Sequence, residues 1–124
     1  MNDSLSTIGF NNHIYEMLIL SALKIKDCCS YEIHKKILEY SNNKLDISPN
    51  AVYTVIYKLH KSGMLTEHKK EYKNRTRLYY HITPAGEGHL NRLLHYYWVN
   101  TTLINMVLCK LEKEYDENKP QSII

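Results

Sequence analysis

The 124-residue sequence contains no run of about 18 apolar residues, which excludes a membrane-spanning helix. Its opening, Met1 to Gly9, lacks the basic start and apolar core of a secretion signal, so a cytoplasmic location is expected. Cysteine is scarce. Cys28 and Cys29 are adjacent and Cys109 is far away, which is no disulfide framework. There is no Gly-rich phosphate loop, no HExxH pair, no nucleophile elbow and no inward-facing carboxylate pair, so no enzyme and no cofactor are expected. Ligand spacing is missing too: His60 and His68 flank a predicted turn. Cys28 or Cys29 with His34 reads more simply as a packed or exposed thiol than as a metal pair, and no metal is expected. Nothing in the sequence signals a depressed thiol pKa, which leaves a redox switch unsupported. With no internal repeat and no Gly/Ser/Pro linker, the length suits one compact domain.

What is present begins with an uneven charge. The formal net charge of +3 hides 12 Lys/Arg against 8 Asp/Glu up to Ile82, and 4 against 5 from Thr83 onward. Between Lys58 and Arg77 the count is 7 against 2, the acids being Glu67 and Glu71. A local excess of this kind fits a surface that meets phosphate, although most charge runs are solvated faces. Tyrosine dominates the aromatics, with 11 copies against one phenylalanine.

The hydrophobic spacing predicts a first helix over 13–23, with Ile14, Met17 and Leu18 on one side. Ser30 is the expected N-cap of a second helix carrying Ile33, Ile37 and Leu38 inward and ending near Ser41 to Asn43. The third helix has the clearest start, with Ser48 as N-cap and Pro49 at the first helical position. Val52, Val55, Ile56 and Leu59 then recur at helical spacing until Gly63 stops the helix. Two extended runs follow, 64–72 and 77–82, joined by the polar stretch Lys73 to Thr76. Three helices and a hairpin make a winged helix-turn-helix.

Thr83-Pro84 repeats the cap-and-proline start and opens a long last helix. Leu90, Leu94, Tyr97, Thr101, Ile104, Leu108, Leu111 and Tyr115 follow at alternating spacings of 4 and 3, a heptad seam. A three-helix winged domain has little surface to cover so long a seam, and the simplest partner is a second copy. The expected fold class is therefore mainly α with a small β-hairpin. Its expected parts are a lead-in over 1–10, a winged helix-turn-helix over 11–82, a dimerisation helix over 83–118 and a tail over 119–124.

In a helix-turn-helix the second helix of the pair enters the major groove. With its apolar residues turned inward, the third helix presents Asn50, Tyr53, Thr54, Tyr57, Lys58 and Lys61 outward. Asn can read adenine in a bidentate manner, Thr and Tyr can meet a thymine methyl or a phosphate, and Lys neutralises the backbone. For Tyr53 and Tyr57 the competing reading is half-buried packing. Lys70, Lys73, Asn74, Arg75 and Arg77 belong to the hairpin, where basic wings follow the backbone or place an Arg in the minor groove. Lys69 lies in the same stretch.

These residues carry a family resemblance. Ser48-Pro49-Asn50-Ala51-Val52-Tyr53, continuing to Leu59 and Gly63-Met64-Leu65, resembles the recognition helix of PadR-type regulators. Arg77-Leu78-Tyr79-Tyr80-His81-Ile82-Thr83 with Gly86 resembles their wing strand and the opening of their last helix. Cys29-Ser30-Tyr31 stands where the family usually has His-Gly-Tyr, so Tyr31 matches and Ser30 does not. Thr54 replaces a frequent Pro. The resemblance covers roughly residues 16–86 and implies a repressor that binds a pseudo-palindromic operator as a dimer through its C-terminal helix, released by a small effector. Residue by residue it implies Tyr53, Lys58 and Arg77 as DNA contacts, and Ser30 and Tyr31 are assigned to DNA at the start of the second helix. The short C-terminal part matches the subclass with a single dimerisation helix.

Tyr96, Tyr97 and Trp98 lie mid-way along that helix. Interface packing is the plain reading; an aromatic effector pocket, with Ile8 or Phe10, is the sharper one. The expectation is a homodimeric repressor on double-stranded DNA. Its rival is a winged-helix module that binds an acidic protein, against which the basic wing beside Asn50 and Tyr53 argues.

Overall fold

The structure, a computed structural model, describes residues 12–120. The elements run α1 (Asn12–Ile25), α2 (Ser30–Tyr40), α3 (Pro49–Lys61), β1 (Leu65–Tyr72), β2 (Arg75–Ile82) and α4 (Pro84–Asn118). Ile8 and Phe10 lie outside the described residues. The helices and hairpin fall into two compact units, one ending at Leu93 and the other beginning at Leu94. Among the described residues no helix is long and apolar enough to cross a membrane.

The first unit is built around one apolar core. Leu20 and Leu23 of α1, Ile33 of α2, Val52, Ile56 and Leu59 of α3, Leu65 of β1 and Leu90 of α4 are each at most 2% exposed. Side chains at i, i+3 and i+4 share a helix face, and that alone puts Val52, Val55, Ile56 and Leu59 inward together. Ile37 and Leu38 of α2 are only partly covered, so Ile33 is the sole buried residue of that helix.

The caps decide where each helix starts. Ser48 Oγ accepts from the Ala51 N–H at 3.1 Å, and Pro49 follows it, as its sequence predicts. The start of α2 differs from expectation. Cys29, not Ser30, is the N-cap, because Glu32 reaches back and its Oε1 accepts from the Cys29 N–H at 3.2 Å. Ser30 is the first residue of the helix. The helix ends at Tyr40, after which Asn42 and Asn43 take left-handed conformations that asparagine tolerates.

The hairpin is tighter than the sequence suggests. Its loop is not the four residues Lys73 to Thr76 but two, Lys73 and Asn74, with φ of 50° and 64°. Two consecutive positive φ values make the turn type that matches the twist of the flanking strands. Arg75 and Thr76 therefore belong to β2, and Tyr72 pairs directly with Arg75. At the root, Cys28 adds a short bridge to β2: the Tyr80 N–H donates to the Cys28 carbonyl at 2.9 Å.

Thr83 joins the hairpin to α4. Its hydroxyl donates to the Gly63 carbonyl at 2.7 Å and accepts from the Gly86 N–H at 3.0 Å. Gly86 is required by close approach: a Cβ there would fall on the Met64 carbonyl oxygen. The first turns of α4 then lie within the first unit, with the His89 ring 2.8 Å from Glu16 of α1. Leu90, read from the sequence as the first residue of the dimer seam, is 1% exposed in this core. It cannot also face a partner, and the available seam begins at Leu94.

Candidate nucleic-acid interface

The outward face of α3 is continuous. Asn50, Tyr53, Thr54, Tyr57, Lys58 and Lys61 are all exposed, Tyr53 and Tyr57 by 54% and 53%. At 100° per residue they fall within roughly 140° of the helix circumference, opposite the buried valine, isoleucine and leucine. About half of each tyrosine is therefore open to a partner. Three of the six side chains, Thr54, Tyr57 and Lys61, are locally engaged. The Thr54 hydroxyl donates to the Asn50 carbonyl at 2.8 Å, which leaves its methyl and its oxygen lone pairs outward. The Lys61 ammonium stands 5.4 Å from the Tyr57 ring centre.

The two-residue turn fixes which hairpin residues share a face, because side chains alternate along each strand. The pairs Thr66–His81, His68–Tyr79, Lys70–Arg77 and Tyr72–Arg75 lie on one face. Leu65–Ile82, Glu67–Tyr80, Lys69–Leu78 and Glu71–Thr76 lie on the other. Both hairpin acids, Glu67 and Glu71, are thus on the second face with Lys69. The first face carries Lys70, Arg75 and Arg77 and no carboxylate of its own. Among the described residues, Lys70, Lys73, Arg75 and Arg77 make no ion pair within 4.0 Å. Their charge is not neutralised internally.

Tyrosine rings stand against three of these four cations. The Lys70 ammonium sits 5.0 Å from the Tyr79 ring centre, and the Tyr72 ring has Lys73 at 5.2 Å and the Arg77 guanidinium at 4.8 Å. Arg77 also reaches back, its Nη1 4.0 Å from Cys29 Sγ. That brings it beside the residue preceding Ser30 and Tyr31, the latter exposed at the start of α2. Asn74 lies exposed in the turn.

Three features escaped the sequence reading. Tyr72 is one: it shares a face with both Arg75 and Arg77 only because the turn is two residues long. The second is Asp27, whose Oδ1 is 2.8 Å from His81 Nδ1 and whose Oδ2 is 3.1 Å from His68 Nε2. It ties the connection after α1 to both strands at the hairpin root. The third is the Glu16–His89 contact. The Asp27 and Glu16 contacts join residues more than forty positions apart, so no local pattern announces them. Burial pushes the Cys28 thiol pKa up, the opposite of what a reactive thiolate needs. Among the described residues no three His, Cys, Asp or Glu groups are placed to hold a metal ion.

In the second unit, Leu94 and Thr101 are partly exposed, and Tyr97, Ile104, Leu108 and Leu111 are exposed. Val99, Leu103, Met106 and Val107 are exposed as well, so the apolar arc is wider than the seam. Tyr97 and Trp98 meet edge to face with ring centres 5.0 Å apart. Tyr96 does not join them. Residues two apart on a helix are about 200° apart, so Tyr96 and Trp98 leave opposite sides of it.

Comparison with known proteins follows the same lines. The transcriptional regulator PadR-like family matches residues 19–92. A transcriptional regulator from Clostridium thermocellum is 27% identical, with 74% of this chain and 87% of that one covered at a TM-score of 0.69. A Streptococcus mutans protein is 26% identical over 91% of this chain and 95% of its own, at a TM-score of 0.71. A PadR family transcription regulator from Clostridium difficile, 22% identical, shares the fold over 76% of this chain and 97% of its own, at a TM-score of 0.68. No curated protein matches by sequence.

Proposed function

Because this chain belongs to the PadR-like family of transcriptional regulators, we propose that it is a cytoplasmic repressor that binds an inverted-repeat operator as a homodimer. In this reading 11–82 is the DNA-binding domain, and the part of α4 beyond Leu93 is the dimerisation helix. Asn50, Tyr53, Thr54, Tyr57, Lys58 and Lys61 of α3 enter the major groove. Lys70, Lys73, Asn74, Arg75 and Arg77 hold the flanking backbone or the minor-groove edge. Ser30 and Tyr31 meet phosphate at the start of α2, where backbone N–H groups favour anions.

The observation that carries the reading is the unneutralised cationic face of the hairpin. A structural hairpin gains nothing from placing Lys70 opposite Arg77, since like charges across a strand pair repel. A phosphate backbone resolves that repulsion. The self-association rests on Leu94, Tyr97, Thr101, Ile104, Leu108 and Leu111, whose apolar surface no part of the same helix can cover.

The test is the salt dependence of binding to duplex DNA. Six or more phosphate contacts per dimer give a slope of about −5 in log K against log salt. A flat slope moves the assignment to a module that binds an acidic protein. An effector, where one acts, is an aromatic molecule seated against Tyr97 and Trp98. Trp98 fluorescence that responds to no aromatic cation or phenolic compound removes that part of the reading.

A further inference from the structure

The first face of the hairpin presents a problem in its own register. Lys70 and Arg77 are directly opposed, and Arg75 follows on the same face with no acid between them. Repulsion alone would swing the two opposed side chains into separate, changing positions in water. Each is met by a different tyrosine of that face, Lys70 by Tyr79 and Arg77 by Tyr72. The Arg77 guanidinium then lies between the Tyr72 ring at 4.8 Å and Cys29 Sγ at 4.0 Å from its Nη1. The negative face of an aromatic ring attracts a cation without neutralising it, so the charge stays available to a third partner. A carboxylate in the same place would hold Arg77 equally well and would also cancel the charge that DNA needs.

We propose that Tyr72 is a positioning residue for DNA binding: its ring holds Arg77, and with it Lys73, in place before DNA arrives. This rests on the DNA reading given above. Ordering a long side chain in the free protein removes that cost from the binding step. Because the ring acts through the cations, its removal lowers affinity and leaves the number of phosphate contacts unchanged.

The experiment uses the full chain and compares wild type with Tyr72→Phe, Tyr72→Leu, Lys73→Ala/Arg77→Ala and the combination of the last two. In the free protein, the Arg77 side-chain proton resonances are shifted upfield by the ring in wild type and Tyr72→Phe. The shift is absent in Tyr72→Leu. On duplex DNA, Tyr72→Phe binds within about twofold of wild type. Tyr72→Leu binds about three- to fivefold more weakly, the size of one surface cation–ring contact, with the same salt slope. In the Lys73→Ala/Arg77→Ala background, Tyr72→Leu has no further effect. Equal loss in both backgrounds, or unshifted Arg77 resonances in wild type, overturns the proposal while leaving the DNA reading intact. Wild-type protein that binds no duplex removes both together.

Discussion

α3 and the part of α4 beyond Leu93 contain apolar residues at the same helical spacing, and they end in opposite situations. Val52, Val55, Ile56 and Leu59 are at most 2% exposed, whereas Tyr97, Ile104, Leu108, Leu111 and Tyr115 are 39% to 68% exposed. In α3 the apolar side is complete within the protomer, and what remains outward is polar and basic. In the second unit the apolar side has no cover within the described residues. The same pattern therefore means a finished core in one place and an uncovered apolar face in the other. Only the neighbours distinguish them.

The sharpest way to break this contrast is to charge the unfinished side. Ile104→Asp/Leu108→Asp is expected to weaken self-association by about 4 kcal/mol or more, because carboxylates would be buried at the seam. Sedimentation should then show monomers at micromolar protein, with the helical signal of the first unit retained. A dimer that survives places the interface elsewhere.

Matched truncations sharpen the contrast next. Ile56→Ala removes a filled core position and should cost about 3 kcal/mol of folding stability at any protein concentration. Ile104→Ala should instead lower the melting temperature chiefly at low protein concentration, as mass action requires for an interface residue. Concentration dependence in both variants, or in neither, would erase the distinction between the two regions. A smaller effect is expected at the junction. Gly86→Ala forces a methyl onto the Met64 carbonyl and should cost about 2 kcal/mol, read by denaturant unfolding.

The smallest effect concerns the hairpin root. The hydrogen bond with His81, partly offset by burial and aided by His68, holds the Asp27 carboxyl below the usual carboxylate range. A folded pKa below the unfolded value of about 3.9 means stability that is present above that value. It is lost as the pH falls through the folded value. Asp27→Asn should therefore melt about 2 °C below wild type near pH 7, and the difference should close below about pH 4. A difference that persists in acid assigns the loss to packing.

Much of the fold was legible because independent local signals coincided. Ser48-Pro49 and the spacing of Val52 to Leu59 both announce α3, and the structure agrees on both. The hairpin arms were legible from Tyr, Thr and Ile. Its turn was not, since neither Lys73 nor Asn74 is glycine, and both nevertheless take positive φ. The cap of α2 is Cys29, a residue type that does not announce a cap, and it depends on Glu32 reaching back to its N–H. Leu90 continued the heptad yet lies in the core, since spacing records which residues share a face and not what covers it. The six outward residues of α3 followed from its buried side. The ordering role of Tyr72 and the link from Asp27 to His68 and His81 depended on a register and on long-range contacts that no local spacing contains.

The most direct test of the account is a gel shift of the protein against the DNA upstream of its own gene. Wild type would be compared with Tyr53→Ala and Arg75→Ala/Arg77→Ala. Wild type is expected to bind sharply and with steep salt sensitivity, and both variants to lose that binding while each remains folded and dimeric. Folded, dimeric wild-type protein that shifts neither this DNA nor random duplex would contradict the account.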